Sequence, residues 1–172
     1  MVLSGSIMGK AASIFDEGYA TLTQSYGPEA RGGSCTAEVV MSYEPVDYPY
    51  VTSPQVIIIL AQEAYTKYGL NPPAGTLIII DPDLVAIADN TYPAPLCIPA
   101  TRMAREMGRV VVANIIVLGF LAAVTDLISA DALRKSVEAS VPQGTEAFNL
   151  QAFDLGYAYG AEHGGRGNGG SG

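Results

Sequence analysis

The chain has one histidine, two cysteines and nine basic residues among its 172, and each scarcity closes off a class of function. A lone His163 beside a glycine-rich tail leaves proton relays and triad chemistry without their usual imidazole. Cys35 and Cys97 fall short of the roughly four ligands that an iron–sulfur cluster or structural zinc takes. With no secretion signal, two thiols point to a reducing cytoplasm, and both are expected to be free and buried rather than joined. The basic residues form no run, and 17 acidic residues leave a net charge of -8. Nucleic acids and anionic membrane surfaces both demand a basic face, so neither is an expected partner. Long apolar runs are also lacking. The longest, Val110–Val124, has 15 residues and is interrupted by Asn114, whereas crossing a bilayer takes about 20.

What remains is apolar material for one core. The composition is 49% hydrophobic and 15% charged, and a chain of this size buries roughly 70% of its unfolded surface. The apolar excess suggests a surface that meets a partner. Helical spacing of Leu3, Ile7, Ala11 and Ile14 predicts a helix over Leu3–Phe15. Ala20–Gln24 and Thr36–Ser42 read as strands separated by the loop Ser25–Gly33. Val56–Leu60 and Thr76–Ile80 are continuous apolar runs, the pattern of strands buried on both faces of a parallel sheet.

Helices are expected over Gln62–Tyr68 and Thr101–Met107, stopped by Gly69 and Gly108, and a short strand over Leu96–Ile98. Val110–Val112 reads as a buried strand, followed after Asn114 by a buried helix. Ser129 suits the cap of a helix reaching Ser140, and a last helix covers Glu146–Tyr159. Alternating strands and helices predict an α/β fold with a mostly parallel, doubly wound (Rossmann-like) sheet flanked by helices. A single domain over residues 1–160 is expected, then a flexible Gly-rich tail over 161–172, with six glycines in the nine positions from Gly164.

The densest local signal is Ser25-Tyr26-Gly27-Pro28-Glu29-Ala30-Arg31-Gly32-Gly33. A rigid turn and a glycine pair would let backbone approach a ligand or another chain. Arg31 could grip a carboxylate or phosphate as a planar fork. The alternative is a solvated loop with an incidental Glu29–Arg31 pairing, and the residues by themselves leave both open. Asp81-Pro82-Asp83 and Gln62-Glu63 follow strands, on the usual ligand side of open α/β sheets. Turn chemistry and helix-terminus acidity account for them without a function. Asn114 is read as a helix cap. Lys10 lacks the loop that precedes a Walker lysine, and neither Ser25 nor Cys35 has a base nearby in sequence.

The string QSYGPEARGG, followed by CTAEVVMSYEPVDYP, resembles the gamma subunits of 2-oxoacid:ferredoxin oxidoreductases. The similarity continues in order through Ser53-Pro54-Gln55-Val56, Leu60-Ala61-Gln62-Glu63-Ala64-Tyr65, Ile98-Pro99-Ala100-Thr101 and Val112-Ala113-Asn114. It reaches Asn149–Tyr157, so nearly the whole chain is covered. Tyr26 and the Glu29-Ala30-Arg31-Gly32-Gly33 string look more like the 2-oxoglutarate type than the pyruvate type. The resemblance implies a subunit inactive alone, in an assembly that converts a 2-oxoacid, CoA and oxidised ferredoxin to acyl-CoA, carbon dioxide and reduced ferredoxin. Thiamine diphosphate and iron–sulfur clusters would sit in partner alpha, beta and cluster-bearing subunits, with CoA as co-substrate and no cofactor on this chain alone. Ser25, Tyr26, Gly27, Glu29, Arg31, Gly32, Gly33 and Asn114 become candidates for CoA or subunit contacts. Relatives usually begin with a strand and a Gly-x-Gly-Gly-Gln-Gly loop, whereas Val2-Leu3-Ser4-Gly5 here resembles their helix start. The expected first strand is therefore missing. A stand-alone nucleotide or acyl-CoA binding module is the alternative function.

Overall fold

In a computed structural model, residues 2–26, 35–44, 50–87 and 93–164 are described. At its centre the apolar runs behave as two-faced strands. β3 (Val56–Ile59), β4 (Leu77–Ile80) and β5 (Leu96–Cys97) form a parallel sheet in that order, with Val56 opposite Leu77 and Ile79 opposite Leu96. Successive side chains point to opposite faces. Ile79 joins the main core with Val56 and Ile58, while Ile78, Ile80 and Ile59 pack with Tyr65 and Val85 on the other side. Burial on both faces is why no polar residue interrupts either run. The fold is α/β, a parallel sheet flanked by helices.

The helices cover the sheet as amphipathic or wholly buried elements. α1 (Val2–Lys10) runs on through a wider π-type turn, Ala11–Phe15, and α2 (Gln62–Ala64) does the same over Tyr65–Gly69. α3 (Ala100–Glu106) follows the sheet, then come α4 (Ala113–Val124), α5 (Ala130–Glu138) and α6 (Glu146–His163). α4 and α6 cross at backbone contact distance through Gly119 and Gly156. A methyl on Gly119 would press into the Phe153 carbonyl and stand 2.9 Å from Tyr157 N, and one on Gly156 would press into the Ile116 carbonyl. Phe120 and Phe153 fill the core beside this crossing. α6 continues four residues past the predicted Tyr159, its last turn closed by Tyr159 stacking on His163 at 4.2 Å. No helix among the described residues is long and apolar enough to cross a membrane.

β1 (Tyr19–Tyr26) and β2 (Cys35–Ser42) pair antiparallel without a break, from Tyr19 opposite Ser42 to Tyr26 opposite Cys35. α1 lies across one face of this hairpin. Gly5 permits the approach, since a methyl there would stand 2.9 Å from Leu22 Cδ1 and 3.0 Å from Ala37 Cβ. At the hairpin's base Gly18 is wedged, with a methyl position 3.1 Å from Ser42 O and 3.2 Å from Ala12 O. The opposite side of α1 enters the main core through Ile7 and Ala11.

Two expectations are corrected. Val110–Val112 is a 3-10 turn, not a strand. α3 ends at Glu106 and α4 begins at Ala113, and the residues between cannot cross a sheet and return at about 3.3 Å each. Gly108, at φ 91°, turns the chain directly from one helix toward the next. Only Val112 of the three valines is buried. Cys97 is free but exposed, not buried, because two-residue β5 carries it to the margin of the sheet.

Candidate functional site

Of the sequence signal Ser25–Gly33, the first two residues lie at the far end of the hairpin. Ser25 and Tyr26 are the last residues of β1, paired with Thr36 and Cys35. Gly27, Glu29, Arg31, Gly32 and Gly33 lie outside the described residues. Local sequence explains the arms: Thr21, Thr23, Val39 and Val40 are β-branched and suit a pleated, half-buried ribbon. The ribbon is braced beyond α1 by Glu38, whose Oε2 accepts from Val51 N at 3.4 Å.

A second set of residues gathers where the parallel strands end. Asp81, directly after β4, is buried. Its Oδ1 accepts from Asp83 N at 2.9 Å and its Oδ2 from Thr101 N at 2.8 Å. One carboxylate thus ties the β4 turn to the first turn of α3, where free backbone N–H groups need partners. With both oxygens engaged by backbone, Asp81 is a structural acceptor and is not poised as a general base. Asp83 forms a two-pronged pair with Arg102, Nε to Oδ2 at 3.2 Å. That hydrogen bond and the Asp83 charge hold the Arg102 guanidinium above its ordinary pKa. Gln62, after β3, clasps the backbone of Ala86: its Oε1 accepts from Ala86 N at 2.7 Å and its Nε2 donates to Ala86 O at 3.3 Å. Turn and helix-terminus bonding thus accounts for Asp81, whereas Gln62 makes a clasp to a segment 24 residues later. Thr101 and Arg102 escaped the sequence reading because their partners lie about twenty residues earlier in the chain.

Asn114 does not join either set as a cap. It sits in the first turn of α4, where the N-cap position belongs to Val112, and its Oδ1 is buried without a hydrogen-bond partner. The cap that forms as expected is Ser129, whose Oγ accepts from Ala132 N at 3.1 Å while Asp16 holds it through Oγ (2.8 Å) and N (3.0 Å). A groove of about 430 Å³ opens beside this cap, lined among others by Tyr43, Asp126 and Tyr157, and none of the described site candidates reaches it. Lys10 serves as a clamp to α5, donating to Ser140 Oγ at 3.1 Å and Ala139 O at 3.3 Å. Although Cys97 is exposed as a residue, partial desolvation of its thiol raises the pKa above the usual value, which disfavours the nucleophilic thiolate. Among the described residues no three His, Cys, Asp or Glu side chains come together as metal ligands.

Residues 1–159 match the family described as pyruvate ferredoxin/flavodoxin oxidoreductase. The 2-oxoglutarate synthase subunit KorC of Methanocaldococcus jannaschii is 43% identical over 161 residues, covering 91% of this chain and 86% of that protein. Among solved structures, the keto/oxoacid ferredoxin oxidoreductase gamma subunit of Geobacter sulfurreducens PCA superposes with a TM-score of 0.80 at 34% identity, covering 94% of this chain and 91% of that one. A 2-oxoglutarate:ferredoxin oxidoreductase from Magnetococcus marinus, with 2-oxoglutarate, coenzyme A and succinyl-CoA bound, shares the fold. Its TM-score is 0.73 at 23% identity, over 93% of this chain and 28% of that one.

Proposed function

This chain belongs to the pyruvate ferredoxin/flavodoxin oxidoreductase family, and from that premise we propose that it is the gamma subunit of a 2-oxoglutarate:ferredoxin oxidoreductase. The observation that carries the reading is the two-way match to the 2-oxoglutarate synthase subunit KorC, 91% of this chain against 86% of that protein. A stand-alone nucleotide or acyl-CoA binding module is not favoured, because the similar proteins are oxidoreductase subunits.

In the reaction the oxoacid loses carbon dioxide, its acyl group joins the CoA thiol, and the released electrons pass to ferredoxin. Thiamine diphosphate supplies the decarboxylation chemistry and, with the iron–sulfur clusters, belongs to the alpha, beta and cluster-bearing subunits in this reading. The work of this chain is to complete the assembly, in the cytoplasm, and to shape the approach of CoA. Tyr26, Glu29 and Arg31 contact a partner surface or CoA in this reading, with Ser25, Gly27, Gly32 and Gly33 as the close-approach backbone and Asn114 as a further contact. A planar guanidinium at Arg31 suits a carboxylate or a CoA phosphate.

The test is to recover the tagged chain from its native cell extract and assay 2-oxoglutarate- and CoA-dependent ferredoxin reduction. An active brown complex supports the reading, and a chain recovered alone and inactive overturns it. Arg31→Ala should weaken assembly or raise the KM for CoA while leaving the fold intact. Unchanged assembly together with unchanged kinetics would remove Arg31 from the site.

A further inference from the structure

The turn after α3 leaves bare what the rest of the apolar run buries. Val110 is 51% exposed and Val111 77% exposed, while Val112 beside them is buried. Two adjacent β-branched side chains in a solvent-facing turn gain nothing from local propensity, where polar residues would serve the turn better. Their surroundings are unusual for this chain. Of its nine basic residues, Arg102, Arg105 and Arg109 fall within eight positions, the first two one turn apart on α3 and Arg109 in the turn that follows it. Asp83 neutralises Arg102. Arg105 and Arg109 then stand with Glu106 as the acidic residue among them, on a molecule whose net charge is -8.

The corner is also rigid. Arg109 N donates to Ala104 O at 3.0 Å and Val112 N to Arg109 O at 3.2 Å, so the turn is bonded back onto α3. The Arg109 guanidinium lies 5.5 Å from the centre of the Phe148 ring on α6, which fixes its direction. An apolar centre, a cationic margin and a preorganised backbone are the anatomy of a protein interface, in which arginine and apolar anchors carry most of the binding energy.

We propose that Arg105, Arg109, Val110 and Val111 form a docking surface for a partner subunit, one that presents an apolar patch bordered by carboxylates. The choice of occupant follows from charge: a cationic rim on an otherwise acidic protein selects an anionic face. The inference rests on the gamma-subunit reading and places a contact separate from the β1–β2 hairpin.

The test compares tagged wild type, Val111→Asp and Arg105→Glu by the amount of partner subunit each recovers from the native extract, with circular dichroism to verify that each variant is folded. Both substituted positions are exposed, so neither variant disturbs the core. Recovery should fall at least about tenfold for each, the scale of losing one anchor residue, and wild-type recovery should decline as salt is raised. Wild-type levels of partner in both folded variants overturn the docking surface. A change only in the self-association of the isolated chain also overturns it, by assigning the corner to a second copy. Wild type recovered without any partner instead overturns the subunit reading itself, and this inference with it.

Discussion

Replacing Gly119 with alanine adds a single methyl where α4 and α6 have no room for it. Alanine is the better helix former by about 1 kcal/mol, so at an unhindered site the change would stabilise. Here the added carbon would press into the Phe153 carbonyl oxygen, with Phe153 C and Tyr157 N each 2.9 Å away. These are backbone atoms of α6, and no rotamer change moves them. The helices must separate, and a gap of about 0.5–1 Å forfeits a quarter to a half of each dispersion contact along the crossing. Overpacking of this kind costs roughly 1–3 kcal/mol, and with backbone as the obstacle the net loss should be about 2 kcal/mol. For a chain of this size that lowers Tm by about 4–8 °C. Gly156→Ala should behave alike, since its methyl meets the Ile116 carbonyl. Gly9→Ala in α1 is the internal control, because the nearest atom to its added methyl is Ala20 Cβ at 3.9 Å. That variant should gain about 0.5–1 kcal/mol. Thermal unfolding followed by far-UV circular dichroism separates the three. A Gly119→Ala protein melting at or above wild type would refute the reasoning.

Two further predictions concern the sheet ends. Asp81→Ala removes the acceptor for Thr101 N and Asp83 N and leaves a buried donor unpaired, which should cost about 1–3 kcal/mol in urea unfolding; an unshifted midpoint would show that water replaces the carboxylate. With Cys35 changed to serine, Cys97 should react with maleimide more slowly than a free thiol at neutral pH, because burial raises its pKa and lowers its thiolate fraction. The rate should climb as the pH rises, and a rate equal to that of free cysteine would contradict the raised pKa.

The central strands were legible because Val56–Ile59 and Leu77–Ile80 have to be apolar at every position to sit between two layers. Ser129 was legible because its capping chemistry is local to one turn. Val110–Val112 is β-branched at every position, as β3 is, and residue type could not distinguish them. What decided was the spacing between α3 and α4, a property of the chain around the valines rather than of the valines. Gly119 and Gly156 read as ordinary small residues until the facing helix is known. The antiparallel pairing of β1 with β2 likewise needs the register, which neither strand states alone. Of the predicted site, the strings around Tyr26 and Arg31 carried the family through their order along the chain, a signal independent of any local energy. The pairing of Asp83 with Arg102 was hidden by sequence distance.

The hairpin is, mechanically, a lever. Eight paired residues at a rise of about 3.4 Å each put its far end about 24 Å from its base. At that length an angular play of about 5° displaces the Tyr26–Cys35 end by about 2 Å, enough to uncouple a positioned contact. The fulcrum is Gly18, wedged between Ser42 O and Ala12 O at 3.1 and 3.2 Å from its methyl position, and the brace is Gly5 against Leu22 and Ala37. Angular tolerance at the far end is therefore set by two glycines that touch nothing there. Side chains introduced at either would re-aim the arm while leaving every residue at its tip unchanged.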